Sequence, residues 1–406
     1  MSFNIALTGL NAVTQQLDTI SNNIANSGTV GFKSSRTEFG SVYADSKGMG
    51  VEVTGTTQSI SQGGSLVSTN RALDLAISGG GFFVVKSGNG DTQYTRAGVF
   101  SQDNANYLIS ATGQRLQGYP TDAAGNLLVG TVSDLQVKTA NLPAKATDKL
   151  EFVANLDSNE TAPTVSPFDP QNVATYNSTY TSKIYDSQGK EHTLTQYFVL
   201  TGTNTWDAHY AVDGNAVGAT QSLTFAPDGS LSSPIASVPV GFTLPGVDPM
   251  NIALDYTGTS QYGSDFVVTT NRTTGYAAGE QTGIAVENDG KVYVNYSNGQ
   301  RMLQGQVALA NFINAGGLQN QSGTAWTETS ASGAPLIGVP GIGQFGSLSA
   351  GNLEGSNVDI TQQLVGLMEG QRNYQANTKV MTTDKELTQV LFSACLLYTS
   401  PSPRDK

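Results

Sequence analysis

The sequence predicts a mainly β chain with terminal α-helices: nested β-domains, sandwich- or barrel-like, flanked by paired N- and C-terminal coiled-coil helices. Three observations carry this expectation. Apolar residues repeat on a heptad over the first two dozen residues. A second helical stripe runs near the other end. Between them, roughly 330 residues read as short alternating strands separated by Gly, Asn and Asp turns.

The first helix is expected over residues 1–26. Phe3, Leu10, Leu17 and Ile24 recur every seven residues, and Ala6, Val13 and Ile20 fall between them, which makes an a/d seam. Burying such a seam gains about 1.5–3 kcal/mol for each large side chain, whereas each ordered backbone costs roughly 1–2 kcal/mol. An isolated helix of this length is therefore marginal in water. It should order only against a partner, the alternative being a helix that lies on its own domain. The C-terminal helix supplies a similar stripe within 351–395: Ile360, Leu364, Leu367, Tyr374, Met381, Leu387 and Leu391, interrupted by Gln371 and Thr378.

Residues 27–70 are polar and rich in Gly, Ser and Thr, and are expected to form an extended connector. A first β-domain segment covers 71–145, where Leu73, Leu75 and Ile77 lead into Gly79-Gly80-Gly81 and the apolar run Phe82–Val85. A middle block over 146–282 brings hairpins with turns at Asp186–Gly189, Asp213-Gly214 and Asp228-Gly229. The first domain then resumes over 283–350, with turns at Asp289-Gly290 and Asn298-Gly299. The simplest arrangement is one β-domain inserted into another. Residues 396–406 contain two prolines, abandon the helical stripe, and read as an anomalous tail.

Composition excludes several functions. Charged residues are 13% of the chain, about half the usual share, and the net charge is −12. No basic patch offers itself to nucleic acid, so none is expected as a partner. No apolar run of membrane-spanning length occurs, so no membrane insertion is expected. A cleavable signal peptide is not expected either, because no Lys or Arg precedes Lys33 and polar residues break the first helix. The single cysteine, Cys395, excludes internal disulfides.

Catalytic and metal motifs are missing. His192 and His209 with one cysteine cannot build a usual zinc site, and His192, just past a turn, should lie at the surface. Gly79–Gly81 is followed by another strand, so it offers no helix N-terminus to phosphate. Asp122, Asn126 and Asp289 could ligate calcium, but EF-hand spacing is absent and they serve as turn formers. Only Trp206 and Trp326 are available for sugar stacking. No cofactor and no enzymatic activity are expected.

Several stretches together resemble one family, the axial proteins of the bacterial flagellum (rod, hook and hook-associated). These are Ala6–Lys33, Leu73–Val85, Tyr94–Pro120 and Gly351–Leu391. Asn155–Glu160, Phe168–Asn177 and Tyr185–Val199, with Trp206 soon after, resemble the outer domain of the hook branch. The resemblance implies a structural subunit that polymerises into a flexible tubular joint and transmits torque from rod to filament. It implies that both helices line an inner tube, with their seam residues at subunit interfaces. It further implies an extracellular place in the hook, export by the flagellar type III apparatus without a cleaved signal, and contacts with a distal rod protein, a hook cap and a hook–filament junction protein. Phe3 and Leu7, four apart, resemble the export motif of such substrates. A distal rod or hook-associated axial protein is the alternative within the family. Outside it, the alternative is a secreted β-rich adhesin or carbohydrate-binding protein.

Overall fold

A computed structural model describes residues 2–44, 47–122 and 125–398 of the chain. Two compact units result: one of Met1–Thr139, Gly283–Val294 and Arg301–Lys406, the other of Ala140–Thr282 and Asn295–Gln300.

In the first unit, helix α1 (Ser2–Ala25) ends in a polar turn where Ser27 N–H donates to Ile24 O. Gly31 follows with φ +71°, and a Cβ there would come within 2.6 Å of the Ala97 nitrogen, so only glycine fits. The segment expected as an extended connector instead holds a long antiparallel hairpin, β1 (Ser35–Ala44) and β2 (Lys47–Gln58), with irregularities at Glu38/Phe39 and Val42/Tyr43. The hairpin lies against α1. Thr19 and Thr37 hydroxyls are 2.9 Å apart, and the Asn23 side chain both donates to Ser35 O and accepts from Ser35 N–H. Its polar composition hid it: besides such bonds only a few apolar side chains, Ile5, Ala12 and Val13 beside Phe39 and Val51, lie between α1 and the ribbon.

The wall of this unit is a twisted sheet in which Arg301–Val307, Arg115–Pro120, Phe82–Lys86, Thr92–Thr95, Ala325–Thr327 and Gln319–Gln321 lie side by side in that order. Phe82, Tyr94, Phe312 and Trp326 interlock edge to face beneath it, with ring centroids 4.8–6.0 Å apart. The Trp326 indole donates to Gln58 Oε1 at 2.9 Å and so ties the foot of β2 to the wall. Gly79–Gly81 forms the expected turn between the strands Leu75–Ser78 and Phe82–Lys86, with positive φ at Gly79 and Gly81. Near the C-terminal helix the chain returns along its own N-terminal part: Ser347–Ala350 pairs with Leu75–Ser78, and Asn352–Glu354 with Leu66–Ser68. Helix α2 then runs from Ile360 to Tyr398. Three residues expected in the tail, Leu396–Tyr398, therefore belong to the helix, and residues 399–406 lie outside those described.

The second unit is a sandwich. One sheet holds Val238–Phe242, Met250–Asp255, Lys149–Asp157, Ser260–Tyr262 and Val267–Thr273; the other holds Ser178–Tyr185, Glu191–Gly202, Thr205–Val212, Asn215–Phe225 and Leu231–Ser233. Lys149–Asp157 alternates buried and half-buried residues without a break, as a strand with one face on a core must. Phe152, Ile184, Phe198, Trp206, Ile252 and Tyr256 meet between the sheets. His192 does not lie at the surface. Two turns close over it, so that it is buried between Asp213 (Nδ1 to Oδ2, 2.6 Å) and Asp186 (Nε2 to Oδ2, 3.2 Å).

Candidate assembly interface

The helices that bracket the sequence meet in space and run antiparallel. Gly9 faces Asn377, Leu17 faces Gly370, Ile20 faces Gly366, and Asn23 Nδ2 donates to Gln363 Oε1 at 3.1 Å. The two glycines let the helices approach closely: a Cβ on Gly370 would sit 2.7 Å from Leu17 Cδ2. Asp359 starts α2 as an N-cap, its Oδ1 accepting from Gln362 N–H.

The α1 seam faces inward in part. Ala6, Val13 and Ile20 are buried, Leu10, Leu17 and Ile24 are half-buried, and Phe3 is exposed, as is Leu7. Phe3 and Leu10 share an open groove of about 480 Å3 with Tyr374 and Met381. The α2 stripe behaves differently. Leu367 and Met381 are half-buried, but Ile360, Leu364, Tyr374, Leu387 and Leu391 are exposed, together with Val365, Met368, Val380, Val390 and Phe392. The line on α2 that faces α1 is thus Gln363, Gly366, Gly370 and Asn377. Sequence reasoning missed it, although two glycines four apart in a helix were a usable sign of close approach. Phe3, at the start of α1, lies beside Asp384 and Lys385, and α2 continues beyond them to Tyr398.

At the root of the helix pair sits a charged cluster that no local pattern announced. Lys33, past the end of α1, and Glu354, before the start of α2, are fully buried and 2.6 Å apart. Arg96, from the wall, reaches the other Glu354 oxygen at 3.1 Å and donates to Gly79 O. Lys33 also donates to Gln62 O, and Gly64 N–H to Glu354 Oε1. Burial pulls the Lys33 ammonium below its ordinary pKa despite the Glu354 carboxylate. Burial alone would raise Glu354, yet Arg96, Lys33 and the Gly64 amide outweigh it and hold the acid below its ordinary range. Beside them the Asn357 side chain accepts from Ser34 N–H and donates to Ser59 O and Gln62 O. The helix pair is therefore welded to the wall by polar bonds of fixed geometry. Among the described residues no helix is long and apolar enough to cross a membrane, and no cluster of metal-ligating side chains occurs.

Comparison with known proteins places each segment. Family models match four stretches: Flagella basal body rod protein over 3–33, Flagellar hook protein FlgE/F/G D1 domain over 76–151, Flagellar basal body protein FlaE D2 domain over 155–276, and Flagellar basal body rod FlgEFG protein C-terminal over 349–393. The Flagellar hook protein FlgE of Escherichia coli K12 is 37% identical over 400 residues, covering 96% of this chain and 99% of that one. Its counterpart in Salmonella typhimurium is 38% identical over 403 residues, with the same coverage. A crystal structure of Helicobacter pylori flagellar hook protein FlgE2 is similar in fold, with a TM-score of 0.55 at 14% identity over 71% of this chain and all of that one. With relatives of that identity matched almost end to end, the chain belongs to the flagellar hook protein family.

Proposed function

We propose that this chain is the structural subunit of a flagellar hook and polymerises into a flexible tubular joint that carries motor torque from rod to filament. The family is a structural one, and the fold supplies what such a role needs. The observation that carries the polymer is the outer face of α2. Ile360, Leu364, Met368, Leu387 and Leu391 are each about half exposed or more, and nothing among the described residues covers them. A helix with that much apolar surface gains about 1–2 kcal/mol for each of these half-exposed side chains that a neighbour buries. Head-to-tail contacts that do not close produce a helical polymer.

In this reading α1 and α2 line the inner tube: Ala6, Val13 and Ile20 are closed within the subunit, the exposed Phe3, Ile360, Leu364, Tyr374, Leu387 and Leu391 meet neighbouring copies, and the half-buried Leu10, Leu17, Ile24, Leu367 and Met381 lie at the margin between the two. Residues of about 71–145 and 283–350 form the wall, and the inserted block of about 146–282 lies outside. Phe3 and Leu7, exposed on the first turns of α1, are available to the flagellar type III export apparatus, which takes the chain without a cleaved signal. The distal rod protein, the hook cap and the hook–filament junction protein are the remaining partners. The test is Leu364→Asp combined with Leu391→Asp, two exposed positions whose change spares the β-units. That variant should keep the wild-type thermal transition and stay monomeric in sedimentation where the wild type polymerises. Polymers of normal appearance from it in electron micrographs would refute the proposal.

A further inference from the structure

We infer that a cleft in the first unit, lined by Lys86 and Lys138, is a socket for a carboxylate-bearing segment of a neighbouring copy of this chain. The inference rests on the polymer proposed above. The cleft encloses about 510 Å3. Its back is the strand Arg115–Pro120, against which Ser133-Asp134 pairs with Gly118 and Gln117. One wall is Tyr107, with the Arg115 guanidinium stacked 4.2 Å above its ring. Another is Gln304, whose Oε1 accepts from Lys138 N–H.

The charges in this cleft are unevenly matched. Its only lining carboxylate, Asp134, is fully engaged: Arg115 Nη1 donates to one oxygen and Gln117 Nε2 to the other, each at 2.8 Å. Lys86 and Lys138 are exposed, and their ammonium groups make no ion pair or hydrogen bond among the described residues. By contrast, Lys145, Lys149, Lys183 and Lys291 each meet a carboxylate. Lys86 still acts on Asp134 electrostatically, so with Arg115 and Lys138 three cations meet a single carboxylate here, an excess that suits an anion whose two oxygens can be shared between the lysines.

The occupant follows from charge complementarity. The chain carries 32 acidic against 20 basic residues, so its surface as a whole repels itself. A polymer of such a chain needs places where that repulsion is reversed, and it presents every cleft with an acidic neighbour at high local concentration. A single exposed pair contributes little, but the contact repeats once for each subunit added.

The full-length chain tests this with Lys86→Glu and Lys138→Glu together. Both side chains are exposed, so the thermal transition should not move. The protein concentration at which polymers pellet should rise about tenfold, the ratio expected for two exposed pairs lost. Salt screens the general repulsion and the socket contacts alike, so the gap between wild type and variant should be widest at low salt and nearly close by about 0.5 M. Lys86→Arg with Lys138→Arg should assemble as the wild type. Assembly of the Glu variant at the wild-type concentration, with the same salt response, would overturn the socket. Should the Glu variant misfold, Lys86→Gln with Lys138→Gln takes its place with the same criteria. A wild type that never polymerises would instead sink the polymer on which the socket rests.

Discussion

Lys33, Arg96 and Glu354 bring two positive charges and one negative into a site from which water is excluded. Taking the carboxylate away leaves two buried cations without compensation, which costs about 3–5 kcal/mol. Glu354→Gln should therefore lower the urea midpoint of the first unit strongly. Lys33→Met, which leaves the Arg96–Glu354 pair intact, should lower it less. Equal losses would mean that Arg96 adds nothing to the weld. His192 makes a pH-dependent counterpart in the second unit. Burial disfavours its imidazolium, but Asp213 and then Asp186 outweigh burial and raise its pKa above the ordinary value. A raised folded pKa means that the pairing is at full strength below about pH 6.5 and fades as pH climbs through the folded value. On the acid side both aspartates, held below the usual carboxylate range against the effect of burial by backbone N–H donors and His192, lose their part as they protonate. The thermal midpoint of the second unit should fall as pH rises from about 6.5 through the raised value in the wild type, and His192→Asn should flatten that limb. An unchanged slope in the variant would remove His192 as its cause.

Among the elements, the helix pair depends on what is small. Gly370→Leu would drive a side chain into Leu17, and overpacking of this kind costs about 1–3 kcal/mol. Amide exchange along α1 should accelerate while the sandwich of the second unit keeps its protection; unchanged exchange in α1 would mean that the helices can shift apart freely. This element also marks where the sequence was transparent and where it was not. The heptad of α1 was readable because Ala6, Val13 and Ile20 announce one face by local spacing alone. So were the turns at Gly189, Gly214, Gly229, Gly290 and Gly299, all with positive φ, since Asp/Asn-Gly chemistry acts within four residues. On α2 the apolar stripe suggested the face toward α1, whereas Gly366 and Gly370 read only as weak helix formers. The hairpin Ser35–Gln58 was hidden by its polar ribbon. The Lys33–Glu354 pair, 321 residues apart in sequence, had no local signature at all.

For the whole molecule, the second unit's point of entry and exit is a testable junction. Leu142 bridges Gly279, and Lys145 bridges Tyr276, so the chain leaves and returns along adjacent antiparallel segments. Replacing 146–275 by Asn-Gly should close them as a hairpin. The first unit should then unfold with its own unaltered cooperative transition, and hooks built from the shortened chain should differ in curvature or stiffness. Loss of that transition would show that the sandwich is not a separable insertion. The distance in sequence between the two ends has a kinetic consequence as well. Among the described elements α1 is made before the others and α2 after them, and Lys33 waits for Glu354 across a span of 321 residues. Loop closure over so long a span is slow relative to local strand pairing. The sheet of the first unit crosses much the same gap, since Leu66–Ser68 pairs with Asn352–Glu354. Each molecule should therefore pass through a stage in which the sandwich of the second unit is already set while the first unit still hangs open, a clasp that shuts only when the rest of the fastening is in place.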